Sequence, residues 1–211
     1  MEVKVLDNGF ARLVDFVGGD RSAATSARIS TMTKGDEKDD AKLVRYLIKM
    51  QHGTPFEHSY FTFYIKCPLL VARQWFRHRI SSYNEMSMRY VLADRDYYVP
   101  ADLSDSQREM YVAAVENSFD TYEELVQDEL RKELARGVLP VSTYTQFCWT
   151  VNARALMNFL ELRLDVAAQY EIRQYAKALH GFFQEKMPYT AQAFEDLIVG
   201  NLETPRTKKD L

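Results

Sequence analysis

Hydrophobic and polar residues repeat with two different periods along this 211-residue chain. Alternation with a period of two predicts strands, whereas apolar residues three or four positions apart predict helices, and the helical pattern dominates. In the first part of the chain, the pattern predicts a hairpin at 3–14, a helix at 20–30, a loop at 31–40 and a helix after Asp40. A strand buried largely on both faces is predicted at 59–66, followed by a helix at 68–79 and a long helix from 104 to about 129. The last predicted elements are a short helix before Pro140, a strand at 143–150, and helices at 152–163 and 165–186.

Short local signals set the boundaries of these elements. Asn8-Gly9 is a strong two-residue hairpin turn, and Pro68 suits the first position of a helix, where its missing N–H costs nothing. Ser104 and Gln107 have the spacing of a capping box. The remaining predicted N-caps are Asp20, Asp40, Asn152 and Asp165.

These elements predict a single α+β domain that is mostly helical, with a small mixed or antiparallel sheet. We expect the domain to span residues 1–200 and to be followed by a polar tail at 201–211. The hydrophobic fraction of 46% and the charged fraction of 27% are those of a globular protein. A chain of this size buries roughly 70% of its unfolded surface, enough for one sizeable core.

Charge and cysteine content exclude several classes of function. The net charge of −3 argues against a general nucleic-acid coat or a polybasic membrane binder. Cys67 and Cys148 cannot form a disulfide framework, so a reducing cytoplasm is expected, and both are predicted to be buried, inert thiols. The chain has no apolar run of 18 residues, and we therefore expect no membrane-spanning segment.

Missing motifs narrow the chemistry further. The glycines do not have GxGxxG spacing and no Gly-Lys-Ser/Thr occurs, which excludes a Rossmann site and a P-loop. No HExxH or CxxC pattern is present, so we expect no metal. A nucleotide ligand would need another geometry.

One basic stretch carries most of the candidate chemistry. Helical spacing places Gln74, Arg77 and His78 on the polar face of the predicted helix 68–79. Three further polar residues are expected on a loop beyond it: Glu85, Ser87 and Arg89. Planar guanidinium groups match phosphate oxygens, which predicts a site for a mono- or diphosphate. The alternative is that the cations only complement the negative end of the helix dipole.

His78 stands between two arginines, Arg77 and Arg79. Neighbouring positive charges disfavour the imidazolium, so we expect a neutral ring that donates or accepts a hydrogen bond. A histidine phosphatase would require Arg-His-Gly at this point, which argues against that class.

The motif Arg77-His78-Arg79, followed after seven residues by Ser87, resembles the signature of the flavin-dependent thymidylate synthases. The similarity extends over nearly the whole chain through five strings in the same order: ARIS (27–30), HGTPFEH (52–58), ARQWFRHR (72–79), ELARGVLP (133–140) and TVNARALMNFLELR (150–163). The resemblance implies conversion of dUMP to dTMP, with methylenetetrahydrofolate as carbon donor and NADPH reducing a bound FAD. It also implies an α+β fold particular to the family and a homotetramer whose active sites are shared between subunits.

The resemblance also assigns roles to individual residues. It implies FAD contacts from Ser30, Thr54, Arg77, His78, Arg79, Ile80, Glu85, Asn152, Arg154 and Asn158. It implies dUMP contacts from Gln74, Arg77, Glu85, Ser87, Arg89, Arg136 and Arg163. His52, near the flavin ring and the folate, and Arg163, against the uracil, would be the catalytic residues, and no enzyme nucleophile is needed. Where some relatives carry a histidine after the equivalent of Arg163, this chain has Ala167-Ala168-Gln169, a departure from the family pattern that puts one flavin contact in doubt.

The residues themselves give independent support to Arg163. It emerges from the apolar stripe of its helix, where an arginine needs an anionic or accepting partner. An arginine cannot act as a base, so its role would be electrostatic. The alternative is a structural ion pair with Glu161 or Asp165. Arg154 and Asn158 are expected on the opposite face of the helix, where they could bind a second ligand.

Two other functional classes compete with the enzyme. One is a nucleotide-binding module that kept the phosphate pocket and lost catalysis; the presence of His52, Ser87, Arg89 and Arg163 together favours the enzyme. The other is an RNA-binding protein that uses the basic stretch and the 13 tyrosines, which the net charge of −3 disfavours. We expect neither nucleic acid nor membrane as a partner.

Overall fold

The computed structural model describes residues 1–201, and within that range the chain forms one five-stranded antiparallel sheet with helices packed around it. The strands are β1 (Glu2–Val5), β2 (Gly9–Val17), β3 (Tyr60–Pro68), β4 (Ser81–Glu85) and β5 (Tyr144–Asn152), in the spatial order β1-β2-β3-β5-β4. The helices are α1 (Asp20–Ile29), α2 (Glu37–Lys49), α3 (Leu69–Trp75), α4 (Asp105–Gln127), α5 (Lys132–Ala135), α6 (Ala153–Leu164), α7 (Tyr170–Lys186) and α8 (Pro188–Leu197). The predicted α+β class is confirmed. The predicted tail at 201–211 lies outside the described residues, apart from Asn201.

The central strand β3 supplies one face of the hydrophobic core. Phe61, Phe63 and Ile65 are fully buried, and Phe63 packs on Phe182 of α7 with ring centroids 6.1 Å apart. The opposite face is more open, since Tyr60 is 46% exposed. The strand was predicted to be buried largely on both faces, but the second face is exposed at Tyr60 and only partly buried further along, because α7 packs on the face that carries the phenylalanines.

Trp75, the last residue of α3, anchors that helix in the core. Its ring lies 5.3 Å from Trp149, 5.4 Å from Phe147, 4.8 Å from Phe159 and 5.8 Å from Tyr175. These contacts join β5, α6 and α7 to one side chain. Aromatic pairs of this kind add about 0.5–1.5 kcal/mol each beyond the burial of area. The packing of Trp75 therefore fixes the end of α3, from which the following residues continue.

The hairpin between β1 and β2 forms, but its turn differs from the prediction. Val5 pairs with Gly9, so the loop consists of three residues, and Leu6 takes the positive φ of 59° that a two-residue turn would have placed at Asn8 and Gly9. Gly9 serves a different purpose here. A Cβ at this position would lie 2.0 Å from the hydroxyl of Tyr175, so the glycine allows the close approach of α7.

Asp20 does not cap its own helix. It is the first residue of α1, and its carboxylate accepts hydrogen bonds from the backbone N–H groups of Tyr189 and Thr190, each at 2.9 Å. It therefore caps α8, a helix that the sequence pattern did not predict. Because this partner lies about 170 positions away along the chain, no local signal could reveal it.

The helix after the polar loop begins earlier than predicted. Asp36 and Asp39 form a capping box at the start of α2, so Asp40 lies inside the helix. Its buried carboxylate forms an ion pair with Arg28 of α1. A carboxylate with 7% side-chain exposure requires such a partner, and the pair fixes α1 against α2.

The remaining caps divide into confirmed and corrected predictions. The Ser104–Gln107 capping box is present, and Asn152 accepts from the N–H of Ala155 at 2.9 Å. Asp165 instead accepts from the N–H of Ala167 within a turn, and α7 begins only at Tyr170. Across residues 1–201, no helix has the length and apolar content needed to cross a membrane.

Candidate active site

The Arg77-His78-Arg79 turn follows α3 directly. The helix ends at Trp75, earlier than predicted, so these three side chains lie on a turn and not on a helix face. The N–H of His78 donates to the carbonyl of Trp75 at 3.0 Å. The hydroxyl of Tyr83 donates to the same carbonyl at 3.1 Å and to the carbonyl of His78 at 2.9 Å. The turn is therefore fixed from both ends.

The residues after this turn form a strand where a loop was expected. β4 pairs with the edge of β5, with Glu85 opposite Phe147. Pairing with a distant strand decides this conformation, so local periodicity could not show it. Ser87 and Arg89 do lie beyond the strand, in the predicted loop.

A cavity of about 810 Å³ opens between the turn, the end of β5 and α6. It contains most of the residues to which the resemblance assigned FAD, together with the arginine assigned to the uracil. The predicted residues that line it are Arg77, His78, Arg79, Ile80, Asn152, Arg154, Asn158 and Arg163. The expectation that Arg163 and the pair Arg154–Asn158 serve opposite faces is wrong, because all three line this cavity.

Arg163 is held by His78 and by the end of α3. Its Nε donates to Nε2 of His78 at 3.1 Å, and its Nη2 donates to the carbonyl of Gln74 at 3.4 Å. Burial, and next the positive charge of Arg77, lower the pKa of Arg163 from its ordinary value. The group remains a cation at neutral pH, but one that has lost part of its hydration.

His78 is neutral, as expected, although the main cause differs from the predicted one. Burial lowers its pKa to about 4, with smaller contributions from the charges of Arg163 and then Arg77. The ring also packs edge-on against Phe159 at 4.8 Å. Nε2 therefore serves as an acceptor for Arg163.

A second cavity of about 490 Å³ brings together the three predicted residues from the first part of the chain. Ser30, His52 and Thr54 line it, and Arg154 lines both this cavity and the larger one. Arg154 therefore lies where the two cavities meet. Nothing in the sequence pattern indicated that this residue would connect the two groups.

Two of the other predicted dUMP residues, Arg89 and Arg136, contact Glu133. Arg89 lies 3.4 Å from the Glu133 carboxylate, and Nε of Arg136 donates to the Glu133 carbonyl at 3.3 Å. Nearby in sequence, Ser87 accepts from the N–H of Arg89 at 3.4 Å, and Glu85 accepts from the hydroxyl of Thr145 at 2.7 Å. None of these residues lines the 810 Å³ cavity. Within one chain, the predicted dUMP set is thus divided into two groups.

Gln74 lies beside the larger cavity but does not line it. Its backbone carbonyl accepts from Arg163, and its side-chain amide donates to Oε1 of Gln169. Gln169 in turn donates to Glu171 at 2.7 Å. The sequence indicated Gln169 only as a departure from the family pattern, not as a partner of Gln74.

The cysteines do not offer a nucleophile to this site. Cys67 is fully buried, and burial raises the pKa of its thiol well above the ordinary value. Cys148 was also predicted to be buried, but it is only partly buried. Among residues 1–201, no three His, Cys, Asp or Glu side chains are grouped closely enough to hold a metal ion.

Two residues near Arg154 were missed by sequence reasoning. Glu57 pairs with Nη1 of Arg154 at 2.5 Å. Gly53 is in close contact with the same side chain, because a Cβ added at Gly53 would lie 2.4 Å from Nε of Arg154. Both belong to the string HGTPFEH, in which only His52 and Thr54 were singled out. A charge pair over a separation of 97 positions has no local signature.

The larger cavity fits a nucleotide cofactor in both size and donors. Its volume is in the upper part of the range typical of small-molecule sites, about 300–1,000 Å³. In the described part of the chain, Arg77, Arg79, Arg154 and Arg163 line it, and guanidinium forks match the oxygens of a pyrophosphate. The fixed turn and the asparagines Asn152 and Asn158 add neutral donors and acceptors.

This fold and cavity define a known class of protein. Residues 12–189 match the family described as "Thymidylate synthase complementing protein", and the chain belongs to that family. The resemblance drawn from the sequence is thereby confirmed.

Individual relatives carry a more specific name. A flavin-dependent thymidylate synthase of Thermotoga neapolitana is 49% identical over 203 residues, which cover 92% of this chain and 94% of the relative. A protein of the same name from Thermus thermophilus is 36% identical, covering 99% of this chain and 83% of the relative. Among solved structures, the UMP/dUMP methylase PolB of Streptomyces cacaoi bound with 5-Br dUMP superimposes with a TM-score of 0.86 at 31% identity, over 93% of this chain and 98% of that one.

Proposed function

We propose that this chain is a flavin-dependent enzyme that methylates dUMP to dTMP. The observation that carries the proposal is the 810 Å³ cavity in which the Arg77-His78-Arg79 turn meets Arg163. Several arginines line this cavity and could bind the phosphates of a dinucleotide, and one further arginine, Arg163, is oriented by His78 and could face a nucleobase. A pure nucleotide-binding module would not need the second feature.

The residues assigned to FAD are Ser30, Thr54, Arg77, His78, Arg79, Ile80, Glu85, Asn152, Arg154 and Asn158. All but Ser30, Thr54 and Glu85 line the larger cavity, and Ser30 and Thr54 line the neighbouring one that shares Arg154. When bound and reduced, a flavin would supply the hydride that is delivered to the uracil ring. The arginines hold the anionic part of the cofactor, and the fixed turn positions Arg77, His78 and Arg79 against it.

Arg163 provides electrostatic stabilisation for the uracil. Its guanidinium is oriented by His78 and partly desolvated, so a hydrogen bond to the N3–C4=O side of the ring is stronger than in water. Negative charge that develops on this side during methylation is stabilised without any enzyme nucleophile. His52 lines the smaller cavity, where it would face the flavin ring and the folate.

Two copies of the chain would complete the dUMP site. Gln74, Arg77 and Arg163 come from one copy, while Glu85, Ser87, Arg89 and Arg136 come from another. The separation of these groups within one chain supports this arrangement, as does an exposed apolar surface beside the second group. That surface consists of Tyr90, Val91, Leu92, Leu134, Val138 and Val141, each at least 38% exposed. We assign the assembly as a homotetramer with shared active sites.

The overall reaction uses methylenetetrahydrofolate as carbon donor and NADPH as reductant. In balance, dUMP, methylenetetrahydrofolate, NADPH and a proton give dTMP, tetrahydrofolate and NADP⁺. We place this reaction in the cytoplasm, which the two free cysteines support.

A visible absorption spectrum of the purified protein tests the cofactor first. The proposal predicts an oxidised-flavin band that bleaches when NADPH is added anaerobically, followed by dTMP formation when dUMP and methylenetetrahydrofolate are supplied. UMP is the comparison substrate, because PolB binds both 5-Br dUMP and 5-Br UMP. A colourless protein that also fails to take up added FAD would overturn the enzyme in favour of a nucleotide-binding module.

A further inference from the structure

Arg154 is held in place by two residues of one short segment. Nη1 of Arg154 lies 2.5 Å from Oε1 of Glu57, across a separation of 97 positions. Glu57 belongs to the short 3-10 helix Thr54–His58, and Arg154 lies in the first turn of α6. The pair therefore ties this segment to the helix that forms one wall of the larger cavity.

Gly53 leaves room for the same side chain. A Cβ at this position would lie 2.4 Å from Nε of Arg154 and 2.8 Å from both its Cδ and Cζ. These three atoms are the nearest that such a Cβ would meet. The absence of a side chain at Gly53 thus gives room to the side chain of Arg154, and no other atom would lie closer to the added Cβ.

The backbone at Gly53 does not require glycine. Its φ of −79° and ψ of −30° lie in the right-handed helical region that any residue adopts. At such a position alanine normally stabilises a protein, because it restricts the unfolded chain. The glycine is therefore explained by the clearance for Arg154 and not by a turn.

The position so fixed is the junction of the two cavities. Arg154 lines the cavity of the Arg77-His78-Arg79 turn and also the one that contains His52 and Thr54. Its side chain is 56% exposed, so without Glu57 and Gly53 it would be free to sample other rotamers.

We propose that Gly53 and Glu57 are positioning residues that hold the guanidinium of Arg154 at the junction of the two cavities for the binding of FAD. The inference rests on the proposed function, since it takes FAD as the ligand. Glu57 also lines the larger cavity and Gly53 the smaller one, so an effect through Arg154 must be distinguished from direct contact with FAD. Their effect passes through Arg154, which separates this role from that of a general structural residue.

The test is the dissociation constant of FAD, measured by quenching of flavin fluorescence on titration of the full-length apoprotein. Arg154→Ala should weaken binding about ten-fold or more, the effect of losing a charged hydrogen-bond donor. Glu57→Gln should weaken it about two- to five-fold, because the pair is partly exposed. Gly53→Ala should weaken it about ten-fold while the melting temperature is unchanged or raised.

A double-mutant cycle distinguishes positioning from a structural role. Glu57→Gln should have no further effect on FAD affinity in the Arg154→Ala background. Matched controls are Glu185→Gln, which removes a surface carboxylate paired with Lys186, and Gly181→Ala, where an added Cβ meets nothing within 4 Å. Both controls should bind FAD as the unmodified protein does.

Any of three results for Glu57→Gln would overturn the inference. These are an unchanged affinity for FAD, an equal weakening with and without Arg154, and a tighter affinity. The last result would mean that Glu57 competes with FAD for Arg154. Failure of the unmodified protein to bind FAD is a different outcome, because it would overturn the proposed function itself.

Discussion

Nε of Arg163 donates a hydrogen bond to Nε2 of His78 at 3.1 Å. The bond exists only while that nitrogen carries no proton, because the imidazolium ring has no acceptor. Burial first, and then the charges of Arg163 and Arg77, keep the ring neutral by lowering its pKa to about 4. The orientation of the arginine proposed to contact the uracil thus depends on the protonation state of a histidine in the Arg77-His78-Arg79 turn.

This dependence predicts acid sensitivity with a definite sign. The ordinary pKa of 6.5 falls to about 4 on folding, so between these values the unfolded chain binds a proton that the folded chain does not. Stability should therefore decrease as the pH falls through this window. From pH 7 to pH 5, the unmodified protein should lose about 1–2 kcal/mol more unfolding free energy than His78→Gln. Urea unfolding at one fixed protein concentration measures this difference, and equal losses would show that His78 is not the group responsible.

Substitution of Arg163 separates catalysis from cofactor binding. Arg163→Ala should lower the turnover number about 100- to 1,000-fold, as expected for the loss of a preorganised charge-stabilising donor. FAD should remain bound, because the other guanidinium groups of the cavity are intact. Arg163→Lys should recover only part of the activity, since lysine lacks the planar fork. Turnover of Arg163→Ala at the unmodified level would remove the residue from the mechanism.

The divided dUMP site predicts complementation between inactive variants. Arg89→Ala removes a residue of one group and Arg163→Ala removes a residue of the other, so each variant should be inactive alone. If every active site takes one group from each of two copies, subunits exchanged at equal ratio should recover about a quarter of the full activity, since a quarter of the sites contain both intact groups. Activity of the mixture that stays at the level of the single variants after verified subunit exchange would contradict shared sites.

A stability prediction follows from the end of α4. The N–H of Glu129 donates to the carbonyl of Val126, and the N–H of Leu130 donates to the carbonyl of Leu125, which is the Schellman pattern of helix termination. Glu129 adopts the left-handed conformation, with φ of 62°, that this pattern assigns to glycine. Glu129→Gly should therefore raise the unfolding free energy by about 1 kcal/mol. Gln127→Gly, inside the same helix, is the opposite control and should lower it by a similar amount.

The sequence predicted the parts of the fold that depend on local signals. The Ser104–Gln107 capping box and the Asn152 cap are confirmed because each uses groups only three positions apart. Asp20 looked equally local, yet its carboxylate caps α8. β4 was not predicted for a similar reason, since its conformation is decided by pairing with β5.

For the site, residue types were more predictable than their partners. The sequence singled out the basic residues Arg77, His78 and Arg79 and also Arg163, but it placed the first three on a helix and not on a turn, and it predicted the neutral state of His78. The role of Arg154 at the junction of two cavities was not, because it depends on Gly53 and Glu57 from a distant segment. The division of the dUMP residues into two groups also required the fold, since Glu133 is what gathers Arg89 and Arg136.

The most direct test of the account is the formation of dTMP from dUMP by the purified protein with FAD, NADPH and methylenetetrahydrofolate, under anaerobic conditions. We expect one dTMP for each NADPH oxidised, and removal of FAD should abolish the product. Binding of dUMP with no dTMP formed, while the protein holds FAD that NADPH reduces, would contradict the assignment as a thymidylate synthase.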